Sequence, residues 1–410
     1  METLLVCGFG SGMDRSLAEV RAMGVRLLVL TDEPTPLVVQ NADLLILADP
    51  ADQESALAAA RTAGVTELTG VVSLGCDNPP VVARLAERYG CPGISEQAAA
   101  DCTDKTRRIR IFARAGLPVA RHQAAADLPG ALAALRHTGL PAVVKPVDRT
   151  GSIGVARIDE EAGAPALIQA ALAASRNGQV LVEEYLTGTE HTVAGLVSRG
   201  RFTVSGFSDR EYRKTEFGPH FFEEGDTMPT ALPRQTAAKV VSTLAEGIEA
   251  LGLTDAVINS DILVTSDGRV FLLEVTARLT GARIATEVMP LGTGARLLPN
   301  VIRQALGRPL ELSELQPRWN RAVVQRFLPA TAGIVQEVGE LPQVTDPSVH
   351  DLFWCGEMRL GAVLPGLGHG CDALAGTIVT GRTPQQADEA ARALLARLPV
   401  RIGPLAGSSV

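Results

Sequence analysis

The sequence predicts an α/β protein of several domains, and three observations carry that prediction. Strand-like and helix-like stretches alternate through the first hundred residues, the pattern of a parallel sheet with helices on its faces. A second strand-and-helix unit follows between residues 128 and 184. Beyond it, two apolar runs flank Asp267-Gly268, the strongest short hairpin signal, because a type I′ turn needs φ > 0 at both central residues. At 410 residues the chain is long enough for roughly two to four domains with real cores.

In order, Leu4–Cys7 reads as a buried strand, followed by the glycine loop Gly8-Phe-Gly10-Ser-Gly12 and a helix over Asp14–Met23. Val25–Leu30, Asp43–Leu47 and Gly70–Leu74 are further strands, with a helix over Glu54–Ala63. The glycine loop lacks the G-x-G-x-x-G spacing of a dinucleotide site and reads as a tight turn. Asp101–Ala115 is a helix carrying Lys105, ended by Gly116-Leu-Pro118. Then come a helix at Leu128–His137, a strand at Ala142–Lys145, a glycine-bearing loop to Gly154 and a strand at Val155–Ile158. A helix at Ala164–Arg176 and a strand at Val180–Glu184 complete that unit. Thr192–Val197 and Phe202–Phe207 form a hairpin across Ser198–Arg201. Ser208–Pro233 is long, polar and irregular, and its charged and aromatic mix marks a functional loop. Gln235–Leu251 is an amphipathic helix, and a helix runs from Gly294 to about Leu306. Pro309–Trp319 reads as a linker, and Ala322–Ile402 is a last α/β segment with a closing helix over Pro384–Leu398.

Composition narrows the function. Hydrophobic content of 46% with 20% charged residues describes an ordinary soluble protein, and a net charge of −8 argues against nucleic-acid binding. No apolar run approaches a membrane span and the N-terminus lacks a basic leader, so no membrane partner and a cytoplasmic location are expected. The six cysteines include no C-x-x-C pair and read as reduced thiols. The 38 basic residues include only four lysines, at 105, 145, 214 and 239, so a position that keeps Lys needs a compact ammonium.

The Asp267-Gly268 hairpin carries chemistry. A two-residue loop pairs Ser266 with Arg269, and counting back along the ladder sets Asp261 opposite Glu274. Opposed residues share a face with Cβ atoms roughly 4.5–5.5 Å apart, and like charges there repel unless a cation lies between them. A divalent metal such as Mg²⁺ fits, since it is held by one or two carboxylates plus substrate phosphates. The opposite face, with Ile262, Val264, Phe271, Leu273 and Val275, is apolar, and Leu263 and Leu272 join the acids, so the acids line a cleft. Val143-Val-Lys145-Pro before Thr150-Gly151-Ser152-Ile-Gly154 sets a lysine at a strand end beside a glycine loop that can approach an anion. Val180–Glu190 is an apolar strand ending in acids, suited to pair with a base through its backbone and with a ribose through a carboxylate. Read alone, each stretch also has a bland explanation: tolerated acids on a solvated hairpin, a lysine before an ordinary turn, gatekeeper charges at a strand edge.

Together and in this order, V-V-K-P…G-S-x-G-V, E-E-Y-L-x-G-x-E and the Asp261-to-Glu274 spacing followed by Arg278 resemble the ATP-grasp superfamily, in its carboxylate–amine ligase branch with the L-amino-acid ligases. The resemblance implies an α/β architecture: an ATP-grasp core, an N-terminal Rossmann-like pre-ATP-grasp domain and a small C-terminal α+β domain. The expected boundaries are 1–100, 101–185 and 186–312 for the first domain and the two lobes of the core, and 313–410 for the last domain. ATP and Mg²⁺, or Mn²⁺, are the implied cofactors. Lys105 and Lys145 would contact the ATP phosphates, with Gly151, Ser152 and Gly154 as a flap over them. Glu183, Glu184, Tyr185 and Leu186 match the adenine hinge, Glu190 the ribose position, and Asp261 and Glu274 the metal ligands. Arg278, with Lys145, would act catalytically, on a substrate carboxylate or the phosphoryl group in transit. Substrate contacts are expected from Arg213, Asp226, Arg278 and Arg283. The implied reaction joins a small carboxylate to an amine through an acyl phosphate, with ADP and phosphate released. Related alternatives are bicarbonate or a carrier-protein thiol as co-substrate, or an ATP-binding regulatory protein without catalysis. The C-terminal domain is open between a lid and the surface of a homodimer.

Two departures matter. The family commonly has Glu-x-Asn at its second metal strand, whereas here Glu274-Val-Thr276 ends in Thr; ladder counting sets Asn259 opposite, offering an amide from the partner strand. The substrate loop often reads Glu-x-Gly-His, and here it is Glu223-Glu-Gly225-Asp226, an acid that points to a more basic amine.

Overall fold

The computed structural model describes residues 1–213, 218–356, 358–364, 366 and 372–404. Lys214 and Cys371, singled out above as one of the few lysines and one of the cysteines, lie outside the described residues. The other five cysteines are free thiols. Among the described residues no helix is long and apolar enough to cross a membrane.

The N-terminal alternation folds as read. β1 (Thr3–Phe9), β2 (Arg26–Thr31), β3 (Leu44–Leu47) and β4 (Gly70–Leu74) form a parallel sheet in the order β3-β2-β1-β4. Its strands are near-continuous apolar runs because both faces are covered. Leu5, Leu28 and Leu30 face one set of helices, while Leu4, Val6, Leu27 and Val29 pack toward Ile284, Val288, Leu298 and Ile302 from far along the chain.

The helix expected over Asp101–Ala115 is two helices, Glu96–Thr103 and Lys105–Arg114. Asp104 breaks them: its backbone is extended and its carboxylate accepts from the Arg107 N–H, as an N-cap does. Lys105 therefore opens a helix rather than sitting within one. A four-stranded antiparallel sheet follows, in the order β5-β8-β6-β7, from β5 (His122–Ala125), β6 (Ala142–Pro146), β7 (Ala156–Ile158) and β8 (Val180–Glu184).

The third sheet has eight strands. It is built from β9 (Thr189–Ser198), β10 (Arg201–Arg213), β11 (Phe222–Met228), β12 (Ala256–Val264), β13 (Val270–Thr276) and β14 (Ala322–Pro329). β16 (Val349–Trp354) and β18 (Ala373–Gly381) complete the order β13-β12-β9-β10-β11-β14-β18-β16. β11 pairs with β14, so one sheet runs across the boundary expected at 312/313. β15 (Gly333–Val338), β17 (Val363–Leu364) and β19 (Val400–Gly403) form a small separate sheet. The irregular loop expected over Ser208–Pro233 is mostly sheet, since β10 extends to Arg213 and β11 occupies Phe222–Met228; pairing with flanking strands overrides its polar composition.

The hairpin across Ser198–Arg201 forms as expected, and the one at Asp267-Gly268 closes on a different turn. Across β9–β10 the loop is two residues, Arg199-Gly200, both with positive φ (49° and 74°), the type I′ geometry. Across β12–β13 the loop is three residues: the Gly268 N–H donates to the Thr265 carbonyl, and the Thr265 N–H to the Arg269 carbonyl. Only Gly268 among them has positive φ, as in a type I turn closed by a glycine bulge. That shifts the ladder by one residue, pairing Ile262 with Leu272, and a bulge at Leu273 shifts it back, so Asp261 still pairs with Glu274 and Asn259 with Thr276. Between turn and bulge the faces swap. Leu272 joins the hydrophobic core, and Phe271 pairs with Leu263 on the acidic side, the reverse of the alternation counted from a two-residue loop.

Candidate active site

Cross-strand register sets the site. On one face of the eight-stranded sheet, Glu274, Asp261, Thr192 and Ser208 lie side by side across β13, β12, β9 and β10. The next row on that face holds Leu263, Glu190, Arg210 and Asp226. A strand alternates its side chains, so residues two apart on each strand join the two rows.

The two acids that register opposes are not left bare. Arg210 Nη1 lies 2.9 Å from Asp261 Oδ1, and Arg278 Nη2 lies 3.8 Å from Glu274 Oε1. Burial pushes the Asp261 carboxyl up, Arg210 offsets part of this, and Glu274 adds to it, leaving it at about 7. Burial acts on Glu274 in the same direction, yet Lys105, Arg108, Arg278 and Lys145 outweigh it and hold that carboxyl below its ordinary value. Asp261 is thus the member of the pair that gains most from a further cation.

Above the sheet, the β5–β8 sheet closes a cavity of about 170 Å³. Of the residues expected to hold nucleotide, Lys105, Lys145, Ser152, Glu183, Glu184, Tyr185, Leu186 and Glu190 line it, and apolar walls come from Val143, Leu263 and Phe271. Lys145, next to the last residue of β6, pairs with Glu183 of β8, which lies across the ladder from Val143. Lys105 Nζ donates to the Arg149 carbonyl at the entry to the glycine loop, and burial lowers its pKa. The loop itself holds left-handed residues, Gly151 (φ 62°), Ser152 (φ 58°) and Gly154 (φ 70°). A Cβ on Gly154 would lie 2.8 Å from that of Ala174, so glycine is needed there for packing as well as for φ. The Glu184 carboxylate is turned outward to Arg121, which leaves that position to act through its backbone.

Several expectations change. Arg213 donates to Glu224, which also pairs with Arg392 of the helix Pro384–Leu395. Arg283 is spent on Glu287 (2.6 Å from Nε) and Asp351 (2.7 Å from Nη2), and stacks over Phe353. Of the three arginines expected at the substrate, Arg213 and Arg283 thus tie the C-terminal strands and helix to the rest of the molecule. Asp226 lies in the site row, but wholly buried behind Arg210. Arg278 is held by Asp77, whose Oδ1 accepts from Nε at 3.0 Å.

Four site residues escaped the sequence reading: Asp77, Arg108, Arg210 and Tyr212, a cavity-lining phenol that burial holds in its neutral form. Arg108 donates to the Leu273 carbonyl exposed at the bulge (3.2 Å) and to Cys102. Arg210 and Tyr212 stood inside a stretch read as loop. Asp77 follows Gly75-Cys76 at the end of β4, where helices of a parallel sheet begin, and that placement was the one available signal.

The donors fit a divalent metal. Asn259 Oδ1 and Thr276 Oγ1, opposed on the strands that carry the acids, are buried without hydrogen-bond partners, as are Thr192 Oγ1 and Asp226 Oδ2 nearby. Buried oxygens are normally paired, so this concentration marks a place where a cation or water belongs. Among the described residues no three His, Cys, Asp or Glu side chains converge, which suits Mg²⁺ completed by phosphate oxygens better than an all-protein cage.

Residues 138–287 match the ATP-grasp domain family. The chain carries an ATP-grasp domain. A D-alanine–D-alanine ligase from Ectopseudomonas mendocina is 31% identical over 199 residues, 47% of this chain and 61% of that protein. The chain thus spans about three fifths of that relative's length. The crystal structure of an L-amino acid ligase from Bacillus licheniformis superposes with a TM-score of 0.82 over 98% of this chain and 99% of that one, at 21% identity. The biotin carboxylase domain of a Hydrogenobacter thermophilus 2-oxoglutarate carboxylase, a dimer in complex with Mg-ADP, ADP and bicarbonate, aligns with a TM-score of 0.74 at 17% identity. It covers 98% of this chain and 91% of that one. These two likenesses show that the chain shares the fold of those proteins.

Proposed function

We propose that this chain is an ATP-dependent carboxylate–amine ligase, joining amino acids or similar substrates through an acyl phosphate. The observation that carries the reading is a cavity lined by Lys105 and Lys145 that adjoins the opposed pair Asp261 and Glu274. In this reading the base lies between Val143, Leu263 and Phe271 against the backbone of residues 184–186, and Glu190 accepts from the ribose. Lys105 and Lys145 neutralise the phosphates, and Ser152 closes over them with its glycine loop. Asp261 and Glu274 would hold Mg²⁺, with Asn259 as a further oxygen donor in place of the Asn that Thr276 replaces. The metal, when bound, offsets charge on the phosphate oxygens.

Chemistry then falls to the protein as positioning and charge balance. Arg278, braced by Asp77, orients the attacking carboxylate and meets the charge that moves onto the transferred phosphoryl group. Phosphoryl transfer leaves ADP and an acyl phosphate; attack of the amine on the acyl carbon expels phosphate and forms the amide. The glycine flap excludes water from the acyl phosphate. The domain division by residues 1–100, 101–185, 186–312 and 313–410 stands as part of this proposal, with the last two sharing a sheet. An ATP requirement accords with action in the cytoplasm.

The test is a screen of amino-acid pairs for ADP release, with hydroxylamine present to trap acyl phosphate and mass spectrometry of products. ADP release that needs both a carboxylate and an amine supports the reading. Release that needs bicarbonate alone would replace it with a carboxylase.

A further inference from the structure

Three acids of the site face crowd one arginine. Arg210 stands at their centre, with Nη1 2.9 Å from Asp261 and Nε 3.8 Å from both Glu223 Oε1 and Asp226 Oδ2. One guanidinium faces three carboxylates, and they do not draw on it equally. Asp226 is 0% exposed, directly across the ladder from Arg210. Ser208 Oγ donates to its Oδ1 at 2.6 Å, while Oδ2 and Arg210 Nε, 3.8 Å apart, have no hydrogen-bond partner. A buried carboxylate without water depends on the nearest cation, because an uncompensated charge there is strongly destabilising. Asp226 therefore spends the charge of Arg210 from behind.

Asp261 has another cation available to it, the metal of the proposed site. Glu223 has none. Its side chain is 16% exposed and opens toward the site; among the described residues Arg210 is the one cation within 4 Å of it, Arg278 acts from farther off, and Asp226 and Glu190 repel it. In the proposed reading the lysines of the cavity are taken by phosphates, and Arg278 is held by Asp77 and Glu274. Among the described residues, Glu223 is the site carboxylate left without its own cation once metal and nucleotide are in place.

We propose that Glu223 binds a positively charged group of the acceptor, which is a diamine or a basic amino acid, and that Asp226 is the positioning residue that makes Glu223 available by neutralising Arg210. The inference rests on the ligase reading for the existence of an acceptor, and it adds the acceptor's class. One amine of such a substrate attacks the acyl carbon, and the other stays an ammonium on Glu223. A neutral acceptor would leave Glu223 an unpaired buried charge, the kind of mismatch that gives strong discrimination.

Calorimetry on the full chain with Mg²⁺ and a non-hydrolysable ATP analogue tests this without turnover. L-lysine and L-ornithine should bind at least 10-fold more tightly than Nε-acetyl-L-lysine or L-norleucine. Glu223→Gln should abolish that preference, and Asp226→Asn should narrow it by releasing Arg210 to Glu223. The ligand comparison in the native protein needs no variant, so a folding defect in Asp226→Asn leaves the result readable. Equal binding of lysine and acetyl-lysine, no lysine binding at millimolar concentration, or a preference that survives Glu223→Gln would each overturn the proposal. Intact lysine preference with no ADP release from any carboxylate–amine pair would sink the ligase reading and leave the cation site standing.

Discussion

Arg278 reaches from the end of the metal-candidate hairpin to Asp77 of the N-terminal sheet, with Nε 3.0 Å from Oδ1 and both side chains largely buried. The bond aims the guanidinium at Glu274 while securing it across two sheets. Asp77→Asn keeps the shape and removes the charge. We expect turnover to fall about 10–100-fold, the scale at which orienting partners of site residues act. Nucleotide affinity should stay unchanged by calorimetry, because Asp77 does not line the nucleotide cavity.

Lys145 pairs with Glu183 in a cavity wall and is expected to turn to phosphate when nucleotide enters. Lys145→Met should weaken ATP binding about 10–100-fold, the loss of one or two charge-assisted hydrogen bonds. An unchanged dissociation constant would remove Lys145 from the phosphate site.

Asp261 titrates near 7 because burial outweighs Arg210. Its folded-state value lies above the unfolded one, so its contribution to stability is full below about pH 4 and is lost as pH rises through about 7. Asp261→Asn does not titrate. The Tm of the metal-free variant should therefore gain on that of the native protein between pH 5 and pH 8. Mg-ATP at pH 8 should raise Tm in the native protein and far less in the variant, since the bound state alone gains from ligand. A Tm difference that is flat across this range would contradict the assignment.

Gly225 lies between the site acids with φ at 134°, and a Cβ there would sit 2.1 Å from the Gln325 carbonyl oxygen on β14. Neither backbone can yield within a paired sheet. Gly225→Ala should cost about 3 kcal/mol or more in urea unfolding. A loss under about 1 kcal/mol would show that β11 and β14 can separate there.

Much of the site was legible from residue order because its signals are local. The period-2 runs and turn residues identify β6, β8, β12 and β13, and thus set Lys145, Glu183, Asp261 and Glu274 at strand positions. The opposition of Asp261 and Glu274 is right for a reason the ladder count did not contain. A three-residue loop and a bulge at Leu273 each shift the register by one and cancel. Sequence alone cannot choose between Asp-Gly as a two-residue turn and as the end of a three-residue one, since glycine permits both.

What only the tertiary structure decided is which charges meet. Arg210 faces Asp261 and Asp226 because β10 lies between β9 and β11, a matter of strand order rather than of spacing. Arg213, three residues on, turns instead to Glu224 and the C-terminal helix. Asp77 meets Arg278 some two hundred residues away because β4 is an edge strand packed near the hairpin. By itself, the sequence determined the strands, the turns and the inventory of lysines and acids, all governed by backbone geometry over a few residues. The pairing of those groups depends on long-range packing, where one strand's place in a sheet decides whether an arginine braces a metal-candidate carboxylate or a distant helix.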